Sequence, residues 1–313
     1  MSLFFFINVM VNIFLDIVLK RVSFLLLGIL FVVNVYSQED DYEWWVVKHN
    51  WDYHTQWNHY MNTSAAYFGP NALPVPDLRD GRVESDYRFE LRPEAHISKG
   101  DKTYDLYTSI IIPLAKVASF QVFLVPSEYY KMDTITRDER FARHVNAEGY
   151  AGGDFWFGTN VQVIKDRRFP DLVFSAYFKT ASGTTLSDAR YTDTPAYYLL
   201  LNGGKDVKQY GETKLRLYGH LGVYIWQTWS EKNSQDDAFV YGFGAKLYSP
   251  KFYATAELSA YHGYLNIGDR PAVVRFQYGL IRTKHEWVFR YQKGIYDYKY
   301  HTFSIAYIYT INP

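Results

Sequence analysis

The chain has 313 residues, equal numbers of basic (33) and acidic (33) side chains and no cysteine. The absent cysteine excludes a disulfide framework, a zinc–thiolate site and a lipidated cysteine anchor. The balanced charge gives no global field to attract nucleic acid. Tyr, Phe and Trp number 30, 22 and 8. Such residues suit the pleated faces of strands, and Tyr and Trp also settle at membrane–water interfaces.

In chain order, Lys20 and Arg21 precede the apolar run Val22 to Val33, and Ser37 then leads into Gln38-Glu39-Asp40-Asp41. A basic start, a short apolar core and a small residue before a polar stretch predict a secretory signal over residues 1–37, cut after Ser37. Beyond it no apolar run reaches the eighteen residues a spanning helix needs. An exported chain of this kind is soluble or a barrel, because only helices and closed barrels satisfy their backbone groups in lipid.

Residues 38–83 carry Trp44, Trp45, Trp51, Trp57, His49, His54 and His59, followed by Pro70, Pro74 and Pro76. Proline removes a ladder donor, so no central strand is expected here. The segment reads as an irregular pre-barrel piece, folded into a lumen or lying across its mouth. The histidines are spaced five apart, which fits neither a helical i, i+4 pair nor a finger.

From residue 84 to 313 the pattern is period-two alternation. Phe89 and Leu91 oppose Arg88, Glu90, Arg92, Glu94 and His96. Phe174 and Phe178 oppose Ser175, Tyr177 and Lys179, and Leu217 and Leu221 oppose Arg216, Tyr218 and His220. Phe252 to Ala260 alternate with Tyr253, Glu257 and Tyr261, Val274 and Phe276 with Arg275, and Phe289 with Arg290. Counting all such runs predicts about twelve strands, each apolar on one face and polar on the other. Short links near 115–116, 166–170, 249–251 and 283–284 alternate with longer ones near 128–148, 184–192, 230–236 and 264–270. Short turns at one end and long loops at the other are the pattern of outer-membrane barrels. The 203–212 link looks long for its end, and 99–101 short. A soluble sandwich would not carry charge along one whole face of so many strands. The expected fold is therefore an all-β, transmembrane, antiparallel up-and-down barrel in the outer membrane of a Gram-negative cell.

The inward face supplies the candidate solute contacts: Arg88, Glu90, Arg92, Glu94, Asp154, Lys179, Arg190, Arg216, Lys246, Glu257, Arg275 and Arg290, with Tyr177, Tyr218, Tyr253 and Tyr261 beside them. These groups either pair into a network that fills the lumen or contact a passing small solute, anionic or aromatic, with an anion favoured if the basic excess is left unpaired. Twelve strands lie between filled and open barrels. No cofactor, metal site or catalytic constellation is expected. An esterase would need a serine beside a histidine, and His96-Ile97-Ser98 alone has same-face spacing. The expected partners are outer-membrane lipid, a small solute and the barrel-assembly machinery. A non-conducting structural or adhesin-like barrel is the runner-up.

The stretch 149–205 is the most specific. It holds Gly153-Asp154-Phe155-Trp156-Phe157-Gly158-Thr159, Lys179-Thr180-Ala181-Ser182-Gly183 and Ala189-Arg190-Tyr191-Thr192-Asp193-Thr194-Pro195. This resembles the outer-membrane barrel family named after the phenol-degradation meta-pathway. The resemblance implies an outer-membrane protein concerned with small-molecule passage. Physically, Asp188, Arg190 and Asp193 near Lys179 read as a charge-paired loop folded over the mouth, or as a gate there.

Overall fold

A computed structural model describes residues 42–165 and 168–312; the signal segment expected over 1–37 lies outside them. A short helix α1 (Glu43–His49) opens this region. Fourteen strands follow: β1 (Tyr87–Ile97), β2 (Asp101–Ala115), β3 (Ala118–Leu124), β4 (Glu128–Met132), β5 (Glu148–Ala151), β6 (Trp156–Ile164) and β7 (Asp171–Lys179). The others are β8 (Ala196–Tyr210), β9 (Thr213–Gln227), β10 (Gln235–Tyr248), β11 (Phe252–His262), β12 (Ala272–Arg282), β13 (His285–Tyr296) and β14 (His301–Ile311). A helix of one and a half turns, α2 (Thr134–Glu139), sits between β4 and β5.

Twelve of these strands close on themselves. Each pairs antiparallel with its neighbours, β3 meets β6 directly, and β1 completes the ring by pairing with both β2 and β14. β4 and β5 stand outside the ring. β2 is long enough to pair with β3 over Thr108–Ala115 and with β4 over Asp101–Asp105, so β4 and β5 prolong the wall beyond one rim. Closure leaves the twelve-strand ring without an open edge, which is what allows strands to sit in lipid. Among the described strands only the β4–β5 extension keeps a free edge, on β5.

The alternation reports orientation as expected. Phe243 is 66% exposed and Leu221 57%, while Tyr224, Ser259 and Asn202 on inward faces are fully buried. At one rim β2–β3, β6–β7, β10–β11 and β12–β13 join by short turns, and both ends of the barrel chain lie there. The other rim carries the long links. The 203–212 stretch is not a long link: β8 and β9 run on as fifteen-residue strands and turn through Gly211-Glu212 alone, with Gly211 at φ +58°. Alternation is weak in Lys205–Tyr210 because the extension is exposed on both faces. The link at Ser98–Gly100 is short, as read, since Ser98 and Asp101 close a tight turn on each other.

Candidate functional site

The barrel interior is the candidate site, and the chain itself occupies much of it. α1 rests at the long-loop rim, where Trp44 and Trp45 donate their indole N–H groups to the carbonyls of Arg143 (3.1 Å) and Phe141 (3.0 Å). Lys48 reaches Asp138 of α2 at 2.5 Å, and the Arg143 guanidinium lies 3.6 Å from the Tyr42 ring centre and 4.8 Å from that of Trp57. From there the segment descends through the lumen to Tyr87 at the short-turn rim.

Its prolines prevent any strand, so its carbonyls must find donors elsewhere. The wall supplies them. Trp226 donates to Thr63 O (2.8 Å), Tyr261 to Leu73 O (2.9 Å), and Ser259 to Pro76 O (2.9 Å). Arg275 donates to Val75 O (2.5 Å) and Pro76 O (3.0 Å), and Arg216 to Asp80 O (2.7 Å). Gln162 both donates to Gly81 O (2.9 Å) and accepts from Val83 N (3.0 Å). Gly81 takes φ +83°, and a Cβ on it would lie 2.6 Å from Gly204 N; a Cβ on Gly204 would lie 2.0 Å from Asp80 O. Segment and wall thus touch backbone to backbone, which only paired glycines permit.

The lumen has two zones. Toward the long-loop rim Ala65, Leu73 and Val75 pack with Trp156, Tyr177, Tyr198, Tyr224, Trp226 and Tyr261 in a buried aromatic cluster. A charged vestibule of about 730 Å³ runs beside the segment, from Arg88, Lys116 and Lys246 near the short-turn rim up to His96, Asp154 and Trp156 near the other.

All twelve candidate solute contacts have partners. Arg88 pairs with Glu286 (2.9 Å), and Arg92 with Glu90 (2.8 Å) and Glu94 (3.2 Å). Lys179 pairs with Asp154 at 2.7 Å, both side chains fully buried. Arg216 meets Asp171 (2.5 Å) and Asp206 (2.9 Å), and Glu257 accepts from Tyr218 OH (2.5 Å). Lys246, Arg275 and Arg290 pair with Asp80 (3.2 Å) and Asp77 (3.3 and 2.7 Å) on the segment. Arg190 is fully buried between Asp101 (2.7 Å) and Glu128 (2.7 Å), with Thr103 at 2.8 Å. Each of these basic groups has an acidic partner, but the partners are shared: Arg275 and Arg290 both rest on Asp77, and Lys246 shares Asp80 with Arg82. The tyrosines are engaged too: Tyr177 accepts from Asn160 (2.9 Å), and Tyr253 donates to Glu286 (2.7 Å).

Asp77, Asp80, Asp101 and Glu128 were not among the sequence candidates. The run Asp77-Leu78-Arg79-Asp80-Gly81-Arg82 offered a signal, as dense charge just after three prolines. Asp101 and Glu128 offered none, since a turn and a loop hid what they face.

The histidine motifs do not converge on chemistry. His49 lies tilted against Phe141 and His59 meets Glu231 at 3.1 Å, so the evenly spaced set stays dispersed. Ser98 closes its own turn, and His96 bonds Thr302 and Asp105 instead. Among the described residues, a serine–histidine contact invisible in the sequence joins Ser259 and His220 at 3.3 Å. Ser259 gives its proton to Pro76 O rather than to His220, so the pair as it stands does not activate the serine.

No protein-family profile and no curated protein sequence matches the chain. Solved outer-membrane barrels do match its fold. An outer-membrane channel from Pseudomonas putida F1 superposes at TM-score 0.55 and 8% identity, over 75% of this chain and all of that one. The KdgM porin gives 0.45 and 9% over 72% of this chain and 99% of that one, and the CymD monoaromatic hydrocarbon channel 0.39 and 8% over 74% and 90%. At these identities the likeness concerns architecture: a closed twelve-strand outer-membrane barrel, as in the Pseudomonas channel.

Proposed function

We propose that the chain is an outer-membrane, porin-type passage for small solutes, held narrow at rest by its own segment 42–86. The short-turn rim then faces the periplasm and the long loops face outward. The observation that carries the reading is the charged vestibule running beside a segment that contributes no strand to the wall. That segment can shift without breaking a ladder bond, so passage needs no change in the barrel. The resemblance of residues 149–205 to the meta-pathway barrel family fits the same reading. The aromatic cluster beside the vestibule would favour flat or apolar solutes over strongly charged ones.

A permanently closed structural barrel is the second reading, supported by the full pairing of the lumen charges. Planar-bilayer recording separates the two. The passage reading expects discrete conductance steps from the full chain, larger after Asp77→Asn with Asp80→Asn, which loosens the segment from Arg290, Arg275 and Lys246. Silence from both proteins, each verified as folded, supports the closed barrel.

A further inference from the structure

Glu94, His96 and Asp105 place one carboxylate oxygen, one imidazole nitrogen and a second carboxylate oxygen within 4.8 Å of one another, all three residues buried. The strand register builds this cluster. Glu94 and His96 are two apart on β1 and share its inward face. Asp105 on β2 lies directly opposite Glu94, and Thr302 on β14 directly opposite His96. His96 Nε2 is 2.9 Å from Asp105 Oδ2, and its other nitrogen, Nδ1, is 2.8 Å from Thr302 Oγ1.

We infer that these three side chains form a binding site for a divalent transition metal on the barrel wall. One imidazole and two carboxylates suit zinc, manganese, cobalt or iron(II) better than calcium, which takes oxygen alone. Metal–ligand bonds of about 2.0–2.2 Å need donors roughly 3–3.5 Å apart, so the widest pair must close by about 1–2 Å. A turn of the flexible Glu94 side chain supplies that. A metal-bound histidine almost always donates its second N–H to an oxygen, and Thr302 Oγ1 already stands there.

A second observation points the same way. Asp105 Oδ1 is buried with no hydrogen-bond partner, while Oδ2 accepts from Asn71 at 2.7 Å. The unpartnered oxygen can bind a cation without releasing Asn71, and so without freeing the lumen segment. Glu94 and His96 also border the vestibule, which gives an ion a route in. The net charge suits the guest, since Arg92 is shared between Glu90 and Glu94 and leaves the trio anionic. The site stands whether or not the lumen conducts.

The test is cobalt(II) titration of the full chain refolded in detergent, read by visible d–d absorption, with zinc chloride as competitor. One saturable equivalent, displaced by zinc, is expected for the native protein and for His54→Gln with His59→Gln. The band should vanish in His96→Gln and in Asp105→Asn. Thr302→Val, which keeps every ligand, should bind about 10–100-fold more weakly. That variant also decides the matter if the ligand variants fail to give the heat-modifiable folded species. No saturable band from folded native protein, or a band unmoved by His96→Gln, or unchanged affinity in Thr302→Val, overturns the site and leaves His96–Asp105 a plain ion pair.

Discussion

Replacing Arg190 by alanine removes the cation that ties the β7–β8 loop to β2 and β4. Its guanidinium contacts Asp101, Glu128 and Thr103 and lies over the Tyr130 ring at 4.6 Å, with no exposed surface. The two acids do not suffer equally. Asp101 keeps Arg140 at 2.7 Å and Tyr300 at 2.6 Å, so its charge stays compensated. Glu128 keeps only neutral donors, Tyr191 at 3.0 Å and Asn71 at 3.1 Å, and becomes a buried anion without a counter-charge. Breaking a buried pair from one side costs about 3–5 kcal/mol, or more than a hundredfold in equilibrium. Arg190→Lys keeps the charge but not the planar fork and should recover only part of this. Arg190→Leu with Glu128→Gln should recover more, because no buried charge is then stranded. Urea unfolding in micelles, followed by tryptophan fluorescence, measures the global loss. Trypsin cleavage in 133–147 measures local detachment of the same loops. An unchanged midpoint and cleavage pattern together with altered conductance would refute the structural role and make Arg190 a gate.

Gly204→Val drives a side chain into Asp80 O and should destabilise by about 1–3 kcal/mol while exposing residues 77–82 to protease; unchanged protection there would contradict the backbone contact. Leu221→Arg sets a charge on the outward face and should cost about 2–4 kcal/mol if near the bilayer midplane, measured by refolding into lipid vesicles, whereas a neutral result would place Leu221 outside the membrane. The α1 cap should loosen in acid. Burial raises the Asp138 carboxyl, but bonds from Lys48 and Arg137 more than offset this and hold it below the ordinary value. Its stabilisation is therefore full above about pH 4 and lost as pH falls through the lower folded value; protease sensitivity of α1 that stays flat down to pH 3 would exclude this link.

Several features were legible from the chain alone because they depend only on local chemistry. Alternation fixes which face of a strand is apolar, and closure follows from the need to satisfy backbone groups in lipid. Both could be read from Phe252 to Tyr261 or Trp287 to Tyr291 without any partner in view. The prolines at 70, 74 and 76 likewise ruled out a strand there. What they left open was where the segment goes, since its carbonyls are met by Trp226, Tyr261, Ser259 and Arg275, each 163 or more positions away. Pairing was hidden for the same reason. Arg275 and Arg290 were visible as inward charges, yet only the fold brings Asp77 between them. Register decided the rest. Glu94 and His96 share a face by spacing, but their meeting with Asp105 and Thr302 depends on how β2 and β14 slide along β1, and hydrogen-bonded ladders across a closed ring set that slide.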